Sequence, residues 1–212
     1  MHDNITVRVW DPLVRICHWS LVGLFAIAYL TGEGEGRNAL HIYSGYTVIG
    51  LVAIRILWGL IGSQHAKFKD FIFSPYAVIQ YLRSVVRGDP KRYLGHNPAG
   101  GYMALLLLIM LLVVTATGLK AYGVKGYGPL AHSTRIAAVS VASAGEHRKI
   151  AASETNNAED EFWKEMHEAA SNVTLFLIAL HVLGVIASSV LHRENLAKAM
   201  ITGEKQVRSV PE

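Results

Sequence analysis

The chain has 212 residues, of which 51% are hydrophobic and 17% are charged, and its formal net charge is +4. Its mean hydropathy is positive, so the composition predicts a membrane protein, and the small positive charge gives no reason to expect nucleic acid as a partner. The single cysteine, Cys17, excludes an internal disulfide, a four-cysteine metal site and the CxxCH motif that attaches haem covalently.

Four apolar stretches are long enough to cross a bilayer, since a membrane-spanning helix needs about 20 residues. They predict spans at about residues 12–32, 38–61, 98–119 and 165–191. We expect an all-α fold in which one domain over residues 1–212 forms an integral membrane four-helix bundle with antiparallel, up-down spans. The first apolar stretch lacks the features of a cleaved signal peptide, so we expect it to be retained as a helix.

Polar residues mark where the helices should begin. Asp11 before Pro12 is a typical N-cap followed by proline in the first turn, and Asn38 and Asn97 precede the second and third spans. Asn157, ahead of an acidic run, predicts that the fourth helix begins near residue 158. The alanine-rich and serine-rich segment before it indicates a mobile linker or a partner-binding surface.

Lysine and arginine residues are concentrated beside one set of span ends. They lie in the N-terminal arm, between the second and third spans, and in the tail at residues 192–212. The positive-inside rule makes this side cytoplasmic, so both termini are expected in the cytoplasm, with several passes through the membrane. A long segment at about residues 120–160 is then expected on the opposite side.

Histidines inside the spans are the candidate functional residues. His167 and His181 are fourteen positions apart, which corresponds to a rise of about 21 Å and leaves both within about 40° of one helix face. One imidazole is therefore expected in each half of a hydrocarbon core about 30 Å thick. Counted from the span ends, His18 lies near the depth of His181 and His41 near the depth of His167. The sequence thus predicts two inter-helix histidine pairs.

Each histidine pair suits a haem better than a zinc ion. Zinc would need a third and a fourth ligand, whereas haem iron needs two histidines in an apolar bundle. The sequence therefore predicts two non-covalent b-type haems, and the predicted axial ligands of the iron are His18, His41, His167 and His181.

Two arginines are candidate partners of the haem propionates. Arg15 lies one turn before His18, and Arg55 lies fourteen residues after His41 on the same face of the second span. Both side chains would also be satisfied by extending to the cytoplasmic headgroups. The remaining histidines are predicted to lie at the surface: His2, His65, His96, His132, His147 and His192.

Three segments carry a resemblance to a known family: VWDPLVRICHW, HIYSGYTVIGLVAIRILWG and HEAASNVTLFLIALHVLGVIASSVLHRENLAKAMITGE. They resemble the prokaryotic diheme cytochromes b, which include cytochrome b-561 and the cytochrome b subunit of nickel-iron hydrogenases. The resemblance covers roughly residues 5–205. It implies that His18 and His181 hold the cytoplasmic-side haem and that His41 and His167 hold the periplasmic-side haem.

The resemblance implies a protein of the bacterial inner membrane, with the segment at about residues 120–160 on the periplasmic side. It also implies transmembrane electron transfer in a respiratory chain, between the quinone pool and a second redox partner. The chain would be an electron-transfer subunit or a quinone-linked oxidoreductase, and its periplasmic partner a hydrogenase, a cytochrome c, a dehydrogenase or a small acceptor. A ferric-reductase-like protein is disfavoured, because such proteins place two histidines on each of two helices. The other alternative is a non-haem transporter or proton pathway that uses the buried histidines.

Overall fold

The computed structural model describes residues 4–32, 38–131 and 146–208. This part of the chain is mostly helical, so the all-α prediction is confirmed. The helices, in chain order, are α1 Pro12–Leu30, α2 Ala39–Ile61, α3 Pro75–Val86, α4 Pro98–Val124, α5 Glu146–His192 and α6 Leu196–Thr202. Two short strands are β1 Asn4–Arg8 and β2 Glu204–Arg208, and two 3-10 turns, Gln64–Ala66 and Phe68–Asp70, lie between α2 and α3.

In the described part of the chain, four helical segments are long and apolar enough to cross a membrane: α1, α2, α4 and the part of α5 from Asn157 to His192. Large apolar side chains on these helices, such as Ile16, Leu57 and Leu183, are exposed on the protein surface. Exposed apolar surface of this extent is typical of helices that contact lipid. The predicted number of spans is confirmed.

The polar residues predicted to begin the first three spans do so. The side chains of Asp11, Asn38 and Asn97 accept hydrogen bonds from backbone N–H groups of the following turn at 2.9, 3.0 and 2.7 Å. Pro12 occupies the first turn of α1, where its missing N–H costs nothing. The local signals therefore predicted the starts of α1, α2 and α4 correctly.

The predicted start of the fourth helix is wrong. α5 begins at Glu146, so Asn157 lies inside the helix, and residues 146–156 are helical where a linker was expected. Residues 146–168 contain neither proline nor glycine and many alanine, glutamate and lysine residues, so nothing in this stretch stops a helix. The 47 residues of α5 span about 70 Å, more than the core of about 30 Å, and part of the helix must extend beyond the hydrocarbon.

Two strands that the sequence did not predict join the ends of the chain. β1 pairs with β2 in antiparallel fashion, with Asn4 opposite Arg208. The backbone N–H of Val9 also donates to the carbonyl oxygen of Gly203 at 2.8 Å. Because β1 leads into α1 and β2 follows α6, this pairing agrees with the expectation that both termini lie on the same side of the membrane.

The chain divides into two compact units, one formed by residues 1–108 and 177–212 and the other by residues 109–176. In the first unit α1 and α2 are antiparallel neighbours. The Nδ1 atom of His41 lies 2.8 Å from the carbonyl oxygen of Ala28 at one end of this helix pair, and the indole N–H of Trp58 donates to Asp11 at 3.0 Å at the other. A single domain over residues 1–212 stays a prediction.

The second unit contains the later part of α4 and the earlier part of α5, again antiparallel. The ammonium group of Lys125 lies 3.8 Å from the Asp160 carboxylate, and the hydroxyl oxygen of Thr117 lies 3.3 Å from Nδ1 of His167. These two contacts define the register of α4 against α5 at the predicted ligand His167 and two turns before it.

Candidate functional site

His41, in the first turn of α2, is held by the backbone of α1. Its Nδ1–H group donates to the carbonyl oxygen of Ala28 at 2.8 Å. Histidines that bind metals commonly donate one ring N–H to a carbonyl or carboxylate, which fixes the tautomer and leaves the other nitrogen as the ligand. This hydrogen bond makes Nε2 of His41 the nitrogen suited to an axial bond. The chain passes close to the ring at Gly32, where a Cβ atom would lie 3.5 Å from Cε1 of His41.

His167 is held in the same manner within the second unit. Its Nδ1–H group donates to the carbonyl oxygen of Val114 at 3.0 Å, and the hydroxyl of Thr117 lies beside the same nitrogen. A Cβ atom at Gly118 would lie only 2.9 Å from Cε1 of His167. The absence of a side chain at residue 118 therefore allows the imidazole to pack directly on the backbone of α4.

His18 on α1 and His181 on α5 both lie in the first unit and are both half-buried. The two imidazoles lie within electrostatic range of each other. The Nδ1 atom of His18 is buried, and none of the described residues hydrogen-bonds to it. His18 and His181 thus belong to one unit, whereas His41 and His167 belong to different units.

Arg15 and Arg55 each bury part of a guanidinium group. Arg15 donates to the carbonyl oxygen of Thr202 at 3.1 Å, while the guanidinium carbon of Arg55 lies 5.2 Å from the ring centroid of Phe68 and 5.9 Å from that of Phe71. Within the described ranges, Nε of Arg15 and Nη1 of Arg55 are buried without a hydrogen-bond partner, and neither arginine forms an ion pair. A carboxylate is the ligand that matches such N–H groups.

The prediction that His96 lies at the surface is wrong. The His96 side chain is half-buried between two aromatic rings, with centroid distances of 4.8 Å to Trp10 and 4.5 Å to Phe71. Its Nδ1 atom is fully buried and finds no hydrogen-bond partner in the part of the chain that the structure describes. Burial, followed by the positive charges of Arg55 and Lys205, lowers the pKa of His96 to about 3, so the ring is neutral at physiological pH.

His65 and His192, the other described histidines outside the predicted pairs, have no buried ring nitrogen that lacks a hydrogen-bond partner. The Nδ1 atom of His65 lies 2.8 Å from the Asp70 carboxylate, and His192 is half-buried in the last turn of α5. His2 and His132 lie outside the described residues, as does the side chain of His147.

The residue types at these positions fit a b-type haem. Imidazoles supply axial nitrogens, and unpartnered guanidinium N–H groups supply donors for carboxylates. A Cβ atom at Gly45 or Gly184, on the histidine faces of α2 and α5, would meet nothing within 4 Å. Across residues 4–32, 38–131 and 146–208, no three side chains of His, Cys, Asp or Glu converge as they do in a conventional metal site.

Apolar spans that carry histidines and partly buried arginines are typical, as a class, of a membrane cytochrome b. The chain matches the model of the prokaryotic cytochrome b561 family over residues 9–203 and therefore belongs to that family. The predicted resemblance is confirmed. The protein is accordingly a multi-pass membrane protein that transfers electrons through b-type haem, and this assignment disfavours a non-haem transporter.

Curated relatives carry the name "Probable Ni/Fe-hydrogenase B-type cytochrome subunit". The protein of Bradyrhizobium diazoefficiens is 23% identical over 96% of this chain and 87% of its own length. Those of Rhizobium leguminosarum bv. viciae and Azotobacter vinelandii are 22% and 21% identical, each over 96% of this chain and 90% of its own length. No solved structure matches the chain.

Proposed function

We propose that the protein moves electrons across a bacterial inner membrane through two b-type haems. His18 and His181 would be the axial ligands on the cytoplasmic side, and His41 and His167 those on the periplasmic side. The redox chemistry comes from haem iron, which gains and loses one electron. The polypeptide supplies the ligands, the orientation of their rings and the charges that tune the redox potentials.

The observation that carries this proposal is the orientation of His41 and His167. In each case an Nδ1–H group donates to a backbone carbonyl, at 2.8 and 3.0 Å, respectively. A donor bond of this kind holds the ring plane and makes Nε2 a stronger ligand. Held by two histidines, each haem would supply electron transfer and would not bind oxygen.

Arg15 and Arg55 are proposed to bind the propionates of the cytoplasmic-side haem. The support is the buried and unpartnered guanidinium nitrogen of each side chain within the described part of the chain. A charge-assisted hydrogen bond to a carboxylate is stronger than a neutral one, especially where water is excluded. Both arginines would therefore fix the orientation of the macrocycle and raise its redox potential.

The quinone pool and a nickel-iron hydrogenase are the proposed electron partners. The names of the three relatives support a hydrogenase, because each describes a B-type cytochrome subunit of such an enzyme. The resemblance also allows a periplasmic cytochrome c, a dehydrogenase or a small acceptor as the second electron partner. The direction of electron flow then depends on which partner is the reductant.

The test uses the purified full chain in liposomes that enclose ferricyanide. A short-chain quinol added outside should reduce the haems and then the enclosed acceptor. His181→Ala should abolish transfer to the acceptor, because it removes one ligand of the cytoplasmic-side haem. His192→Ala, which changes a histidine eleven residues further along α5, should transfer electrons at the wild-type rate.

Each part of the proposal fails on a different result. Wild-type protein that carries haem but is not reduced by quinol would contradict the quinone link. Reduction of haem without reduction of the enclosed acceptor would contradict transfer across the membrane. Equal rates for wild type and His181→Ala would contradict the assigned ligand.

A further inference from the structure

The connection that leads into α4 places His96 in a fixed position. Asn97 caps the helix immediately after it, accepting from the backbone N–H of Gly100 at 2.7 Å. Gly95, immediately before it, lies against the bonded pair of His65 and Asp70, since a Cβ atom there would lie 3.1 Å from Nδ1 of His65. His96 is thus held from both sides by residues with defined partners.

The rings around His96 come from distant parts of the first unit. Trp10 precedes α1, and Phe71 follows the second 3-10 turn. Both His96 and the guanidinium group of Arg55 contact the Phe71 ring, at centroid distances of 4.5 and 5.9 Å. His96 and Arg55 therefore lie beside the same aromatic side chain, each with a buried N–H or ring nitrogen that no described residue engages.

The charge near His96 is positive. Arg55 and the buried Lys205 both act on it electrostatically, and His181 lies within the same range. The carboxylates of this region are engaged elsewhere: Asp11 with Trp58, Asp70 with His65, and Glu194 with Arg92. Among the described residues, the buried nitrogens of Arg55 and His96 have no hydrogen-bond partner, and this favours a ligand that brings its own anionic oxygen.

We propose that His96, together with Arg55, binds a propionate carboxylate of the haem held by His18 and His181. The neutral imidazole would donate from Nδ1 to one carboxylate oxygen, and the guanidinium group of Arg55 would donate to the same carboxylate. This inference rests on the proposed function and adds a ligand-binding residue that the sequence did not predict. It gives the cytoplasmic-side haem a donor from the connection between α3 and α4.

The test compares three variants of the full, haem-loaded chain by redox titration of the haem absorption bands. His96→Leu removes the donor and should lower the midpoint potential of one haem, because an unbonded propionate stabilises the ferric state, while the other haem is unchanged. His96→Gln keeps an N–H donor at a different position and should change the potential less than His96→Leu does. His192→Gln alters a histidine in the last turn of α5 and should leave both potentials unchanged.

A second measurement keeps the inference testable if His96→Leu does not fold. Redox-induced infrared difference spectra of protein loaded with haem labelled with 13C on its propionates should show a carboxylate band. That band should change position in His96→Gln, whose amide donates from a different position, and keep its position in His192→Gln. An identical band in wild type and His96→Gln would overturn the inference.

Other outcomes would overturn the role assigned to His96 or the proposed function. Unchanged potentials in a His96→Leu variant that folds and binds both haems would show that the donor does not reach a propionate. Weaker quinone binding with unchanged potentials would assign the donor to the quinone headgroup instead. A wild-type protein with fewer than two haems would refute the proposed function, and this result is obtained without any His96 variant.

Discussion

Two regions of the protein satisfy their histidines in different ways. In the hairpin of α4 and α5, Nδ1 of His167 has a carbonyl partner on Val114 and the ring lies against Gly118. Near the N-terminal end of α1, the Nδ1 atoms of His18 and His96 and a guanidinium nitrogen of Arg55 are buried without a partner among the described residues. The first region orients the His167 ring with its own backbone, whereas the second would be completed, as we propose, by the carboxylate of a haem propionate.

The largest expected effect is on the number of haems per chain when two predicted ligands are removed together. The double variant His18→Ala with His181→Ala should keep one haem per chain, because it removes both ligands of a single site. The double variant His18→Ala with His41→Ala should keep none, because it damages both sites. A pyridine haemochrome assay per chain measures this, and equal haem content in the two double variants would contradict the pairing.

A smaller effect is expected from closing the space beside His167. Gly118→Val should displace the imidazole, converting part of the low-spin haem to high-spin and destabilising the fold by about 1–3 kcal/mol through overpacking. Gly50→Val is the matched control, since a Cβ atom at Gly50 meets nothing within 4 Å. Visible spectra and thermal denaturation measure both properties. Similar behaviour of the two variants would show that the close approach at Gly118 has no role.

Asp11 provides a pH-dependent prediction for the region around α1. Burial acts to raise the pKa of this carboxyl, but hydrogen bonds from Ser63, Trp58 and the backbone N–H of Val14 outweigh it and hold the pKa below its ordinary value of 3.8. The carboxylate therefore stabilises the fold above about pH 4 and loses this contribution as the pH falls through the lowered pKa.

Two variants test this dependence by thermal denaturation. Asp11→Ala should cost about 0.5–2 kcal/mol at neutral pH through loss of the helix cap. Asp11→Asn keeps a cap but cannot titrate, so its stability deficit relative to wild type should shrink as the pH is lowered below 4. A deficit of Asp11→Asn that stays constant between neutral and acid pH would contradict the assignment.

The smallest effect is expected at Thr117. Thr117→Val removes the hydroxyl 3.3 Å from Nδ1 of His167 but leaves the carbonyl of Val114, so the cost should be below about 1 kcal/mol, with a slight change in the low-spin signal. Thr115→Val is the control, because the Thr115 hydroxyl donates only within its own helix, to Leu111 at 2.8 Å and Leu112 at 3.1 Å. A larger spectral change in Thr115→Val would contradict the role of Thr117.

Local sequence signals predicted the features that depend on short stretches of chain. The caps at Asp11, Asn38 and Asn97 are formed by residues within one helical turn, so they can be recognised without the fold. The fourteen-residue spacing of His167 and His181 fixes a shared helix face for the same reason. Four apolar stretches of sufficient length predicted the four spans.

Features that depend on distant segments were missed. The pairing of β1 with β2 joins residues about two hundred positions apart, and neither five-residue strand has a local signature. The burial of His96 depends on Trp10 and Phe71, which approach it only in the folded chain. The start of α5 was misplaced because Asn157 resembles a cap, while the residues before it also favour helix.

The central claim is that the chain holds two haems, each between two histidines. Electron paramagnetic resonance of the oxidised wild-type protein, together with a haem count per chain, tests it most directly. The account predicts two haems per chain, both low-spin ferric with the signals of bis-imidazole ligation. A single haem, or a dominant high-spin ferric signal from a fully loaded and folded protein, would contradict it.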